Sequence, residues 1–355
     1  MAEIAYLLGA GASAQCIPVV KKMAEDIREL LVEIPKLLKK GKFSGYFEDT
    51  ERFTALQLLE KDLLSLDIKR HQLKLVTDVL EKLLEICENH YSIDTYAKKM
   101  YLTDKEEFRQ LKLDLCFYFT ATQIWHPIDK RYDNFFSSVI TDKGNLPNKV
   151  RLLSWNYDFQ LEQSYGTYCK SIVIDDVRSK LQTISPFEYH NYESYANGFK
   201  VFKLNGSARI KTANTSSFLL TSFSNEKEAN LVALLNGYYE QHRRKADSEL
   251  KFAWENEHYS TLIQAARYEL SKITVLVIIG YSFPFFNREV DKALFAAMHN
   301  LEVVYIQDIC PEDIEETMQE IEAFELKKKY GLTIYHKKNL EQFVFPKELD
   351  LSEPS

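Results

Sequence analysis

The stretch Ile4-Ala5-Tyr6-Leu7-Leu8-Gly9-Ala10-Gly11-Ala12-Ser13-Ala14 decides how the chain is read. Its apolar residues run without alternation, as in a parallel strand buried on both faces, and stop at a turn of small residues. A helix is predicted from about Pro18, which suits a first helical turn, with Val19, Met23, Ile27 and Leu30 following at helical spacing. Strand, glycine turn and helix in that order suit a pyrophosphate. Glycines permit a tight turn and close backbone approach, and the N–H groups and dipole at a helix start oppose phosphate charge. Ala14 stands where the G-x-G-x-x-G/A pattern accepts alanine. The same small residues also suit a strand-to-helix turn kept tight for packing. Gly9, Ala10, Gly11, Ala12 and Ser13 are therefore candidate ligand residues with two readings open.

Outward from this turn, residues 44–146 are helical in pattern, with Leu58-Leu59-Leu63-Leu64, Leu73 to Ile86 and Phe108 to Trp125 as the clearest runs. Strand character returns at Val150 to Trp155, at Ser171-Ile172-Val173-Ile174, at Phe199 to Leu204 before the Asn205-Gly206 turn, and at Ile273 to Ile279 before Gly280. A helix over Asn287 to His299, the run Val303 to Ile306 and a further helix near Pro311 complete the pattern. Strands alternating with helices predict an α/β chain with a Rossmann-like, doubly wound parallel sheet. The expected division is 1–43 with 147–345 as the sheet domain, 44–146 as a helical insertion subdomain, and 346–355 as a tail that frays over Leu351 to Ser355.

The 355 residues are 45% hydrophobic, enough for one large core or two ordinary ones, and the net charge is -7. That mild acidity argues against a nucleic-acid surface. The basic run His242-Arg243-Arg244-Lys245 lies in an amphipathic helical segment and reads as a solvated face. Cys16, Cys87, Cys116, Cys169 and Cys310 contain no C-x-x-C pair, which predicts reduced thiols of a cytoplasmic protein and no zinc ribbon. No metal site is expected. The short apolar start lacks the features of a signal peptide, and no stretch approaches a membrane span. A dehydrogenase would place an acidic residue at the end of a second strand, about 20 residues past the turn. Here that distance falls among Asp26, Arg28 and Glu29 inside the first predicted helix, which counts against hydride transfer.

Four blocks together resemble the SIR2-like (sirtuin-related) family. They are Leu7 to Ser13 with Ile17-Pro18 following, Ser154-Trp155-Asn156-Tyr157-Asp158, Lys203-Leu204-Asn205-Gly206-Ser207, and Ile279-Gly280-Tyr281-Ser282-Phe283-Pro284. Each is short, and their order and spacing carry the likeness from about Leu7 to Asp308. The paired zinc cysteines are missing, and Val19-Val20 replaces the D-F-R that follows G-I-P in sirtuins. Both departures are similar to bacterial relatives that act in phage defence by hydrolysing NAD+. The resemblance therefore implies NAD+ as a substrate, cleaved to ADP-ribose and nicotinamide, no zinc, and an antiviral effector. It also implies a homo-oligomer or a defence partner such as an ATPase or an Argonaute-like protein, with neither nucleic acid nor membrane as a direct partner.

Cleaving nicotinamide from NAD+ passes through an oxocarbenium-like transition state with a neutral leaving group. A protein must supply geometry, a positioned water and polar groups near the developing charge. Asn156 can hold a water or a ribose hydroxyl, and Asp158 can bind ribose or orient Asn156; both also read as caps of a helix starting near Phe159. Asn205 stands where the family has a histidine base, and an amide accepts no proton at neutral pH. A substituted residue, a natural variant that hydrolyses NAD+ without this base, and a silent binding domain all fit that position. His126, in Trp125-His126-Pro127, is a candidate surrogate that also reads as a helix end. Ser154, Gly280, Tyr281 and Ser282 are expected to face the ligand crevice, with Gln307 and Asp308 reaching toward the adenosine ribose. Tyr132, Asp133 and Phe135 resemble a family segment with no assignable chemistry.

Overall fold

The structure is a computed structural model and describes residues 2–40, 73–141, 144–171, 173–187, 198–210, 227–255 and 259–350. Leu58 to Leu64, Ile172 and Leu351 to Ser355, all named above, lie outside the described residues.

The chain divides into two compact units. Met1–Val19, His126–Arg209 and Glu249–Ser355 form the first; Val20–Trp125 and Ile210–Ser248 form the second. Residues 20–43 and 210–248 thus group with the helical unit, and 126–146 with the sheet, a different partition from the boundaries read in the sequence. The second unit holds α1 (Met23–Lys40), α2 (73–89), α3 (Ile93–Thr103), α4 (Lys105–Trp125) and α8 (Lys227–Arg243). Two buried carboxylates fasten its helices. Tyr118 and Thr122 of α4 donate to Asp26 of α1 at 2.8 and 3.1 Å, and Tyr238 of α8 donates to Asp114 of α4 at 2.7 Å.

The first unit is a seven-stranded, all-parallel sheet. Its strands are β1 (Ile4–Leu8), β2 (Val150–Ser154), β3 (Thr183–Ile184), β4 (Lys200–Lys203), β5 (Val275–Ile279), β6 (Val303–Gln307) and β7 (Thr333–Lys337), in the order β3-β4-β2-β1-β5-β6-β7. Helices α5 (Lys130–Val139), α6 (Gln160–Tyr168), α7 (Ile174–Lys180), α9 (Tyr259–Leu270), α10 (Arg288–Ala297), α11 (Pro311–Gln319) and α12 (Glu322–Lys329) belong to the same unit. This is the Rossmann-like doubly wound α/β fold. From β1 the chain fills one side of the sheet with β2, β3 and β4, then crosses to the other side for β5, β6 and β7. The direction reverses between β1 and β5, and such switch points are where ligands settle at the carboxyl ends of parallel strands.

Side-chain alternation sorts β1 between two cores. Ala5 and Leu7 face a cluster with Leu153, Phe202, Ile278, Leu294, Phe295 and Phe324, while Tyr6 packs edge-on against Phe135 of α5 with ring centroids 5.2 Å apart. In the run Ser171 to Ile174, whose Ile172 is outside the described residues, Val173 precedes and Ile174 begins α7. The first long helix starts at Met23, after a single 3-10 turn at Val20–Lys22, rather than at Pro18.

Two cations sit side by side within the sheet. Arg151 of β2 and Lys200 of β4 are register partners, both nearly inaccessible, and like charges on adjacent strands repel. Glu269 of α9 resolves the repulsion, accepting from Arg151 at 2.9 Å and from Lys200 at 2.8 Å. Burial alone would raise the Glu269 pKa, but the hydrogen bonds and charges of Lys200 and Arg151 outweigh it and hold the group at about 2. Its folded value lies below its ordinary 4.5, so the stability it contributes is complete above about pH 4.5 and disappears as pH falls toward 2. Glu269→Gln is expected to remove that limb of the pH–stability curve and to cost about 3 kcal/mol at neutral pH by taking the carboxylate partner from buried Lys200. Urea unfolding across the pH range measures both.

Candidate functional site

The candidate residues gather at the carboxyl edge of the sheet because they follow strands that end in register. Leu8 pairs with Ser154 on one side and Ile279 on the other, Ser154 pairs with Lys203, and Ile279 pairs with Gln307. The residues just beyond each strand therefore share one rim.

At the centre of that rim, the turn after β1 is packed rather than open. Gly9 donates its N–H to Ile279 O at 3.0 Å, Gly11 to Gly280 O at 2.9 Å, and Ala12 to Gly9 O at 2.9 Å. The expected cradle of free amides is corrected accordingly: these three are engaged by the protein itself. Ala10–Ser13 form only one turn of 3-10 helix, so the dipole of a long helix does not start here. The glycines are required by close backbone approach. Gly280 has φ +57, and a Cβ there would lie 2.4 Å from Gly11 Cα, with no side chain free to yield. Ala10, exposed, and Gly11, half-buried, form the outer lip of the turn.

Asn156 joins β2 to this turn. Its own N–H donates to Ser154 Oγ at 3.1 Å, which fixes the direction of the backbone after β2. Its Nδ2 donates to Gly9 O at 2.9 Å and to Ser13 Oγ at 3.2 Å. With both amide hydrogens committed, the group that the side chain can offer a ligand is Oδ1, an acceptor. Ser154 positions Asn156 rather than facing the crevice. Ser13, buried, lies 3.0 Å from the Tyr132 hydroxyl and hydrogen bonds to the Asp158 carboxylate.

Asp158 is a cap and a neighbour of the turn at once. Its Oδ1 accepts from Gln160 N at 3.0 Å at the start of α6. Burial pushes its carboxyl upward, opposed by the Lys203 ammonium and by the hydrogen bonds from Gln160 and Ser13. Lys203 also donates to Asp158 O at 2.5 Å, Asn205 Nδ2 donates to Trp155 O at 3.1 Å, and Ala208 N donates to Tyr157 O at 2.8 Å. The two blocks around Asn156 and Asn205 are thereby one hydrogen-bonded unit. Asn205 is 6% exposed and holds the backbone of Trp155.

On the other side of the switch point the expected ligand residues separate. Ser282 is exposed at the rim. Tyr281 is not ligand-facing: it is buried, stacks on Trp155 at 5.9 Å, donates to Asp291 Oδ2 at 2.8 Å and accepts from Asn287 at 3.1 Å. Gln307 is likewise corrected. Its Nε2 donates to Asn339 O and Gln342 O at 2.5 and 2.6 Å and its Oε1 accepts from Val344 N at 3.1 Å, so both ends of the amide hold backbone. Asp308 accepts from Cys310 N at 3.2 Å at the start of α11. His126 directly follows α4, as its sequence context implied, and its carbonyl faces Cys16 Sγ at 3.9 Å.

Sequence reasoning missed Asp129 and Arg131. Asp129 caps α5, accepting from Arg131 N at 3.0 Å, and pairs with the Arg131 guanidinium at 2.6 Å. The same guanidinium donates to Gly11 O at 3.0 Å and to Ala12 O at 3.2 Å, and Gln15 N donates to Asp129 Oδ2 at 3.2 Å. An Asp two residues before an Arg ahead of Tyr132 was the available signal, but capping residues are common and nothing local marks their long-range partner. Asp133 is exposed and accepts from the Tyr168 hydroxyl at 2.8 Å, while Phe135 belongs to the core beneath β1.

A cavity of about 440 Å³ lies at the opposite, amino edge of β6 and β7, lined by residues including His299, Leu301, Leu326, Lys327 and Tyr330. Among the described residues, no group of three or more His, Cys, Asp and Glu side chains gathers as metal ligands do, and no helix is long and apolar enough to cross a membrane. No protein-family model matches the chain, and no curated protein matches it.

Gly280→Ala is expected to lower stability by more than about 2 kcal/mol, because a left-handed alanine and a backbone collision coincide; an unchanged urea midpoint would refute the close approach. Asp291 gives a second test. Burial among Tyr281 and Trp155 raises its carboxyl from 3.8 to about 8. The unfolded chain releases this proton first, so stability declines as pH rises from about 4 to about 8 and is flat above. Asp291→Asn should abolish that decline, as measured by thermal unfolding at about pH 5, 7 and 9.

Proposed function

We propose that the chain binds NAD+ at the carboxyl rim of β1, β2 and β4 and hydrolyses its nicotinamide–ribose bond. The observation that carries this reading is the orientation of Asn156. Both Nδ2 hydrogens hold the glycine turn, so Oδ1 is a fixed acceptor beside the switch point. A carbonyl oxygen held there can accept a hydrogen bond from the attacking water and set a negative dipole near the ribose carbon as positive charge develops on it. Water adds to that carbon, the bond to the nicotinamide nitrogen breaks with its electron pair on nicotinamide, and the proton from water leaves to solvent or to a nearby carboxylate. Asp158, linked to the turn through Ser13, is the nearby carboxylate in this scheme. Exposed Ala10 and Ser282 flank the rim where the pyrophosphate would lie. On this reading the protein is an effector that depletes NAD+ in antiviral defence and acts within an oligomer or with an ATPase or Argonaute-like partner.

Asn205 favours a second reading, a silent NAD+ or ADP-ribose binding module. It replaces the titratable base expected from the resemblance, and its amide is engaged with Trp155 O. Free nicotinamide measured after incubation with NAD+ separates the two. The hydrolase reading expects release by the parent and its loss in Asn156→Ala; release only by Asn205→His would show a competent site silenced by Asn205. Losing a general base costs about 10²–10⁴ in rate, which sets the gain expected for that variant. Calorimetric binding of ADP-ribose without release supports the binding module, and no heat with either ligand refutes both.

A further inference from the structure

The residues that hold the glycine turn are themselves held by the end of the described chain. After β7 the backbone returns across the sheet. Gln307 at the end of β6 grips it through Asn339 O, Gln342 O and Val344 N, and Tyr6 of β1 donates to Val344 O at 3.2 Å. Between these grips Phe343, 3% exposed, inserts against the brace of the turn. Its ring meets Tyr132 edge-on at 5.0 Å and lies 5.4 Å from the Arg131 guanidinium. Phe345 adds a stacked contact with Phe135 at 6.0 Å.

We propose that residues 339–345 form a strap that positions the glycine turn through Arg131 and Tyr132, so that the ligand affinity of the turn is set from the C-terminal side. This rests on the reading above that the turn faces a ligand. The physical path is short. Phe343 covers one face of the guanidinium, which reduces its access to water and favours its hydrogen bonds to Gly11 O and Ala12 O. The same ring limits the rotation of Tyr132, which lies within hydrogen-bond distance of Ser13. Arg131 and Tyr132 therefore couple the strap to the later half of the turn, at Gly11, Ala12 and Ser13. A partner or modification that displaced the strap would loosen the turn without occupying the site.

Hydrogen exchange on the full chain tests the coupling without any ligand. In Phe343→Ala, the amides of Gly11, Ala12, Cys16 and Ile17, which donate to Gly280 O, Gly9 O and Ser13 O, should exchange faster by on the order of tenfold, while those of β2 and β4 keep their rates. Phe343→Leu, which keeps much of the apolar volume, should fall between. Unchanged turn amides, or equal acceleration throughout the sheet, would overturn the proposal. Calorimetry with ADP-ribose is the second arm: a parent that binds should lose affinity by on the order of tenfold in Phe343→Ala. Unchanged affinity there overturns the coupling, whereas a parent that binds neither ADP-ribose nor NAD+ removes the ligand reading and leaves the exchange result to decide the strap.

Discussion

The backbone of Gly9 and Gly11 lies directly against that of Gly280, and the architecture of the rim depends on this approach. It occurs at the one place where the winding of the sheet reverses, between β1 and β5. Loops leaving two adjacent parallel strands would ordinarily diverge at a switch point and leave a crevice. Here the absence of side chains lets the two loops join. Asn156, just past β2, closes onto the same turn through Gly9 O and Ser13 Oγ.

Much of the fold was legible because the strongest signal, long apolar runs ended by glycine, arises from the same burial that makes a parallel strand. β1 and β5 are of this kind, ending at Gly9 and Gly280, while β2 and β6 are short, mostly apolar runs without the glycine. β3, with two residues, and β7, partly exposed at the edge, carry too little apolar content to stand out. Ser171 to Ile174 misled for the opposite reason: a short β-branched run has the same composition in a strand and at a helix start, and only α7 packing decides. Partition between the two units was less legible still, since residues 210–248 join the helical unit across more than eighty intervening positions.

The candidate site was legible by position and not by orientation. Strand ends predict which residues share a rim, and Asn156, Asp158, Asn205 and Ser282 are there. They do not predict which way an amide turns. Gln307 has the residue type and place of a ribose ligand, yet a returning segment some thirty residues later engages both ends of it. Arg131 was invisible for a related reason: its partners, Gly11 O and Ala12 O, are backbone atoms, and a backbone acceptor leaves no mark in the sequence.

The Arg151–Glu269–Lys200 cluster has a consequence for how the sheet assembles. Parallel strands buried on both faces are nearly uniform in hydrophobicity, so a pair of them displaced by one residue loses little apolar contact. Two guanidinium and ammonium groups that must reach one carboxylate are far less tolerant. The observed alignment of β2 with β4, with α9 docked across them, brings both cations within 3 Å of Glu269. A charged trio in the floor of the sheet thus acts as an index mark for strand pairing, and the spacing between Asn156 and Asn205 at the rim is inherited from it.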